Sequence, residues 1–213
     1  MTDTIDTALA VAWMRTAAHD LTLACGRLTD LDAARGDADH GTNMQRGFAA
    51  IAEHLGRQAP ATPGAALLQA SAVLRRTMGG TSGPLWSAAL RRAGKALGEG
   101  ESAPPSAMAD ALDAAAAAIA DIGGAQEGDN TMLDALLPAA RALRARLTAG
   151  EALPAAAEAA AAAADTAAAE TAGHTAHKGR ASYLGERVLG HADPGAVSAA
   201  LVIRALHHAL TTR

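Results

Sequence analysis

Between residues 155 and 169 the chain is alanine except for Glu158, Asp165 and Thr166. Such a stretch has one good folded solution. Alanine loses no side-chain entropy in a helix and is the best helix former. A strand would need branched or aromatic side chains to pack. So smooth a helix is expected to lie close against its neighbours. The rest of the chain has the same bias, with half of its residues hydrophobic but only 2% aromatic. The apolar mass is mainly alanine and leucine, and an all-α protein is expected. The alanine run is too poor in large side chains for a membrane span, and Glu158, Asp165 and Glu170 interrupt or flank it.

Spacing supplies the other helices. Ile5, Leu9, Trp13, Leu21, Ala24, Leu28 and Leu31 recur at steps of three, four or eight and read as one helical stripe. Met44, Phe48, Ile51 and Leu55 mark a second helix, and residues 65–78 a third. Pro84 suits the first turn of a fourth, which runs to about Leu97. A fifth spans roughly Ser106–Ile122 and ends at Gly123-Gly124. The sixth begins near Asp129 and contains Pro138, where a kink is expected. The alanine helix is the seventh, to about Thr175, and the eighth runs from about Gly195 to Leu210. Eight helices with short connections favour antiparallel neighbours in a bundle or closed barrel. No repeat or composition break divides the 213 residues, so a single domain is expected.

The formal net charge of −4 lacks the basic footprint of a nucleic-acid binder. Cys25 is the single cysteine, which excludes an intrachain disulfide and suits a reducing cytoplasm. No signal peptide is apparent at the N-terminus.

Chemistry is expected at the helix connections. Asp32, Asp37 and Asp39 lie within eight residues. Hard cations such as Mg²⁺ bind through a few carboxylates, with phosphate and water completing the shell. Carboxylates brought so close repel unless a cation neutralises them. Gly41, Thr42 and Asn43 then open a helix whose N–H groups, hydroxyl and amide can receive phosphate oxygens. Solvated helix caps explain the same acids equally well. The spacing does not match a calcium-binding loop.

Gly79-Gly80-Thr81-Ser82-Gly83 is a second connection, able to bring backbone N–H groups and two hydroxyls to a ligand. It lacks the Gly-Lys-Ser/Thr of a Walker loop, and a plain turn is the commoner use of such glycines. Gly123 and Gly124 would let a flat ring approach the backbone, with Met132 covering its face; core packing of Met132 is the plainer alternative. Residues 176–194 form a long polar stretch where Arg180 could reach a phosphate or stack on a base. No nucleophilic triad is evident, and His174 and His177 read as an exposed pair.

Together, GDADHGTNM, GGTSGPLW, GDNTMLDALLPA and GRASYLGERVLGHADPG resemble, in this order, the motifs of the nucleotide-binding L subunit of bacterial dihydroxyacetone kinase. The similarity runs from Asp32 to the last helix. It implies a barrel of eight antiparallel amphipathic helices with ADP or ATP at one end. It implies that Asp32, Asp37 and Asp39 hold two Mg²⁺ ions. His40, Gly41, Thr42, Asn43, Thr81 and Ser82 would contact phosphates, and Gly123 or Gly124 and Met132 would line the adenine site. Arg180 and the Asp193-Pro194-Gly195 turn would close the pocket. Ala38 stands where the motif commonly has glycine, and Asn130 where many relatives have Lys or Arg.

The resemblance further implies a half-site. Dihydroxyacetone would sit on a separate K subunit, bound covalently through a histidine of that chain, and this chain alone would be inactive. ADP would stay bound and be rephosphorylated by a phosphohistidine protein of the sugar phosphotransferase system. The alternatives are an ATP-exchanging kinase subunit for another ketose, and a nucleotide-loaded module that docks on a transcription factor. A homodimer is also compatible with the sequence.

Overall fold

The computed structural model describes residues 4–212. Among them the chain forms nine α-helices: α1 (Thr7–Leu23), α2 (Cys25–Ala33), α3 (His40–Arg57), α4 (Pro63–Thr77), α5 (Ser82–Leu97), α6 (Pro105–Gly123), α7 (Leu133–Thr148), α8 (Leu153–Glu170) and α9 (Pro194–Thr211). Two short strands, β1 (Ile5–Asp6) and β2 (Ser102–Ala103), pair antiparallel. No described helix is long and apolar enough to cross a membrane.

The expectation of eight helices is corrected at one place. The stripe from Ile5 to Leu31 starts in β1 with Ile5 and continues as two helices, meeting at Ala24. Ala24 has ψ −1, and its N–H reaches the carbonyls of both Asp20 and Thr22. This tightened turn redirects α2 against α3 and α9. The sixth expected helix starts at Leu133 rather than near Asp129, because Asp129–Thr131 form a turn. The alanine helix stops at Glu170 and gives way to a 3-10 turn over Thr171–Gly173. Pro138 lies inside α7, which continues to Thr148.

Helix starts follow local chemistry. Asp6, Thr62 and Asp193 cap α1, α4 and α9 by accepting the N–H groups of Leu9, Ala65 and Ala196. Pro63, Pro105 and Pro194 occupy first helical turns, where a missing N–H costs nothing. Gly124 ends α6 in the left-handed conformation.

One core runs through the helices, from Leu9, Trp13 and Met14 of α1 to Val202, Ile203 and Leu206 of α9. The Trp13 indole donates to the carbonyl of Val202 at 2.7 Å, tying those two helices together. Phe48 and Trp86 meet edge to face with centroids 5.8 Å apart. Alanine gives α8 its close fit: Ala156, Ala157, Ala160 and Ala164 are fully buried between α7 and α9. Each helix packs on its successor in the order α3 to α9, and α1 packs on both α3 and α9. Successive helices from α3 to α9 therefore alternate in direction. Connections 34–39, 78–81, 124–132 and 171–193 gather at one end, and 58–62, 98–104 and 149–152 at the other.

Candidate nucleotide and metal site

The four connections at the first end surround a cavity of about 270 Å³. Asp32 closes α2 and is nearly buried. One of its carboxylate oxygens accepts the N–H groups of Asp39 at 2.8 Å and His40 at 3.0 Å. Asp32 thus caps α3 in place of Asp39, whose own side chain makes no capping bond. A Cβ on Gly36 would lie 2.5 Å from the other oxygen of Asp32, so glycine there leaves that carboxylate its space. Asp32, Asp37 and Asp39 each turn a carboxylate oxygen inward, and these atoms lie within 4.8 Å of one another. An all-oxygen set of this charge and spacing fits a hard divalent cation.

His40, the first residue of α3, is buried between two hydroxyls. Its Nδ1 lies 3.1 Å from Ser82 Oγ and its Nε2 lies 3.0 Å from Ser198 Oγ. Burial pushes its pKa below the ordinary histidine value, with Asp32 and Asp39 opposing, which favours the neutral ring. Ser198 Oγ donates to the carbonyl of Gly195 at 3.0 Å. With that proton committed, Nε2 is the donor to Ser198 and Nδ1 accepts from Ser82.

Thr81 and Ser82 open α5 at the cavity wall. The seating of α5 on the preceding turn depends on glycine, since a Cβ on Gly83 would lie 2.2 Å from the carbonyl oxygen of Met78. Leu85, Ile119, Gly123, Ala125 and Met132 form a less polar wall opposite the acids. Arg180, Asp193, Pro194 and Gly195 complete the rim. Arg180 Nη1 pairs with Asp37 across the opening at 2.5 Å. Four expected residues stand behind this wall. Gly41 packs against Cys25 and Thr29 of α2, and Thr42 donates to the carbonyl of Asp39 at 2.9 Å. The amide of buried Asn43 abuts Gly80, and Gly124 lies beneath Lys178.

The stretch 176–193 is more ordered than its sequence suggests. It contains 3-10 turns at Arg180–Tyr183 and Gly185–Val188, and a small core of Ala176, Ala181 and Val188. Asp193 caps α9 and faces Arg35 at 4.0 Å. Burial raises its pKa to about 6 despite that cation and the Ala196 N–H. His177 faces Asp129 at 3.7 Å rather than joining His174 in a metal cluster.

Sequence reading missed Arg35, Lys178 and Thr131 of the wall, and saw Asn130 only as an odd residue. Arg35 carried one signal: it is the lone cation amid three carboxylates. Arg35 is 2% exposed, and its guanidinium donates to the carbonyl of His191 at 2.6 Å and to Asn130 Oδ1 at 3.0 Å. Asn130 has φ 62 and donates in turn to the carbonyls of Thr171 and His174. Asparagine tolerates that left-handed backbone better than lysine or arginine does.

The model of the DAK2 domain family matches residues 34–208, and so spans all four connections around the cavity. The chain belongs to the DAK2 domain family. This DAK2 domain is 37% identical over 179 residues to the ADP-binding subunit DhaL of the PEP-dependent dihydroxyacetone kinase of Escherichia coli, covering 84% of this chain and 85% of that one. It is 42% identical over 185 residues to L-erythrulose 1-kinase of Mycolicibacterium smegmatis, covering 85% of this chain and 32% of that kinase. The DAK2 domain therefore matches most of one kind of relative and about a third of another. Its fold is similar to the dihydroxyacetone kinase of C. freundii, at a TM-score of 0.74 and 31% identity, covering 94% of this chain and 34% of that one. The same kinase in complex with AMP-PNP and Mg²⁺ matches at a TM-score of 0.71 and 30% identity, over 98% of this chain and 35% of that one.

Proposed function

We propose that this DAK2 domain, residues 1–213 as a single domain, is the nucleotide-binding component of a dihydroxyacetone-kinase-type phosphotransferase. The observation that carries the reading is the convergence of Asp32, Asp37 and Asp39 at one end of the helical fold, beside the starts of α3 and α5. Two Mg²⁺ ions held by these carboxylates would neutralise phosphate charge when bound. The chain's own residues bind and orient. The starts of α3 and α5 direct positive dipole ends and backbone donors at phosphate oxygens. His40, Gly41, Thr42, Asn43, Thr81 and Ser82 shape that phosphate end. Gly123, Gly124 and Met132 flank the base. Arg180 with Asp193, Pro194 and Gly195 screens the site from water. Phosphoryl transfer needs mostly such positioning and charge neutralisation.

Dihydroxyacetone is bound by a separate K subunit, and this chain alone turns over a negligible amount of it. ADP remains bound and a phosphohistidine protein rephosphorylates it; the support is the match over most of the length of an ADP-binding subunit of a PEP-dependent kinase. A second reading, ATP exchanging as an ordinary substrate for a tetrulose, is favoured by the higher identity to an L-erythrulose kinase.

Titration of the purified chain with ADP and ATP, with and without Mg²⁺, tests the core of the proposal. Mg²⁺-dependent binding is expected, weakened at least tenfold by Asp32→Asn, Asp37→Asn or Asp39→Asn. No binding of either nucleotide would sink it. ADP that stays bound through purification supports the retained cofactor; free exchange with ATP supports the second reading.

A further inference from the structure

Arg35 has no place in the roles given above, yet it is the most thoroughly enclosed cation described. It sits in the 34–39 connection, between Asp32 and Asp37 in sequence, and the carboxylate it pairs with is that of Asp193. One guanidinium nitrogen donates to the carbonyl of His191, at the end of the 171–193 connection. Another donates to Asn130 Oδ1, in the 124–132 connection. Asn130 carries the link onward to Thr171 and His174, where the 171–193 connection begins. Asp193, which starts α9, faces the same guanidinium. One buried fork therefore ties the carboxylate connection to both ends of the segment that bears Arg180. The buried Nε has no partner, so this enclosure is not set by hydrogen-bond satisfaction alone.

The chemistry of the fork matters. Two directed N–H groups hold two acceptors that belong to separate segments, and a lysine has no such planar geometry. The acceptors are a main-chain carbonyl and a neutral amide, so charge alone would not arrange them.

We propose that Arg35 is a positioning residue that sets how long nucleotide is retained, by locking the 171–193 segment to the carboxylate connection. It contacts no phosphate itself. It holds Arg180 and the Asp193-Pro194-Gly195 turn over the cavity, and so slows departure of the ligand more than arrival. The inference rests on the nucleotide reading for the ligand's identity, and it selects between ADP kept as cofactor and nucleotide exchanged freely.

The test uses the full chain and a fluorescent ADP analogue with Mg²⁺ in stopped flow. Arg35→Lys and Arg35→Met are each expected to raise the dissociation rate at least tenfold and to change the association rate less than threefold. Asn130→Ala, which cuts the onward link, is expected to raise dissociation in the same direction. Amide hydrogen exchange of the ligand-free variants should rise in residues 171–193 and stay unchanged in α5 and α6. Exchange that rises across the whole chain would assign Arg35 to general stability and overturn the proposal. Unaltered dissociation from a folded Arg35→Lys protein would also overturn it. If the native chain binds no nucleotide, the functional reading fails separately, and the exchange pattern still decides whether Arg35 locks the segment.

Discussion

Ala38 stands between two of the three carboxylates with φ 61, a left-handed backbone that costs a side-chain-bearing residue about 1–2 kcal/mol. The resemblance of its motif to one that commonly carries glycine has its reason here. Ala38→Gly is expected to stabilise the protein by about 1 kcal/mol in urea unfolding. Asp193 supplies a pH signature. Its folded pKa, near 6, exceeds the ordinary 3.8, so the folded state holds a proton that the unfolded chain releases first. Ionisation therefore costs stability as pH rises from about 4 to about 6, and the cost is constant above that. Arg35 opposes the shift, while Asp32 and Asp134 add to it. Unfolding of native protein and Asp193→Asn at pH 4 and pH 7.5 should show the variant gaining on the native chain at the higher pH. A difference that is the same at both would mean that Asp193 ionises normally. The carboxylates were legible as residues because their types and spacing carry the chemistry. Arg35 was not, because its burial is made by Asn130 and His191, which are distant in sequence.

At the scale of elements, the site depends on how α3 is seated. A Cβ on Gly41 would fall 2.2 Å from the carbonyl oxygen of Cys25 and 2.4 Å from Thr29 Oγ1, so α3 begins in direct contact with α2. Gly41→Ala must push the helices apart and carry Asp39 and His40 with them. A loss of about 2 kcal/mol is expected, with weakened Mg²⁺-ADP binding measured by titration. Gly26 in α2 meets nothing within 4 Å, and Gly26→Ala should stabilise by about 0.5–1 kcal/mol and leave binding intact. Equal effects of the two substitutions would mean that helix seating does not matter. Helix positions were legible because buried side chains recur at the helical period. The break at Ala24 was not, since Leu28 continues the same spacing and the turn shows only in backbone angles. The pairing of Ile5–Asp6 with Ser102–Ala103 was equally hidden, because two-residue strands have no period to read.

Across the whole molecule, the alternation from α3 to α9 has an electrostatic result. Helices α3, α5, α7 and α9 all begin at the cavity end, at His40, Ser82, Leu133 and Pro194. Each contributes the positive end of its dipole, which favours a polyanion there. The motifs showed which connections were polar, but only the fold shows that four helix starts share one pole. Ligand that binds only the folded state stabilises it by about 2.7 kcal/mol at a hundred times its Kd. Thermal unfolding with saturating Mg²⁺-ADP should therefore shift up by about 5–10 °C. A chelator should abolish the shift; a shift that survives chelation would place the nucleotide away from the carboxylates. The same alternation fixes where the molecule can be handled. The Ile5–Asp6 strand pairs beside the α5–α6 connection, and α9 carries the chain about 27 Å away from the cavity before Thr211. Tethered to a sensor chip or bead through a residue beside Ile5 or Thr211, the protein would present its open mouth to the flowing sample.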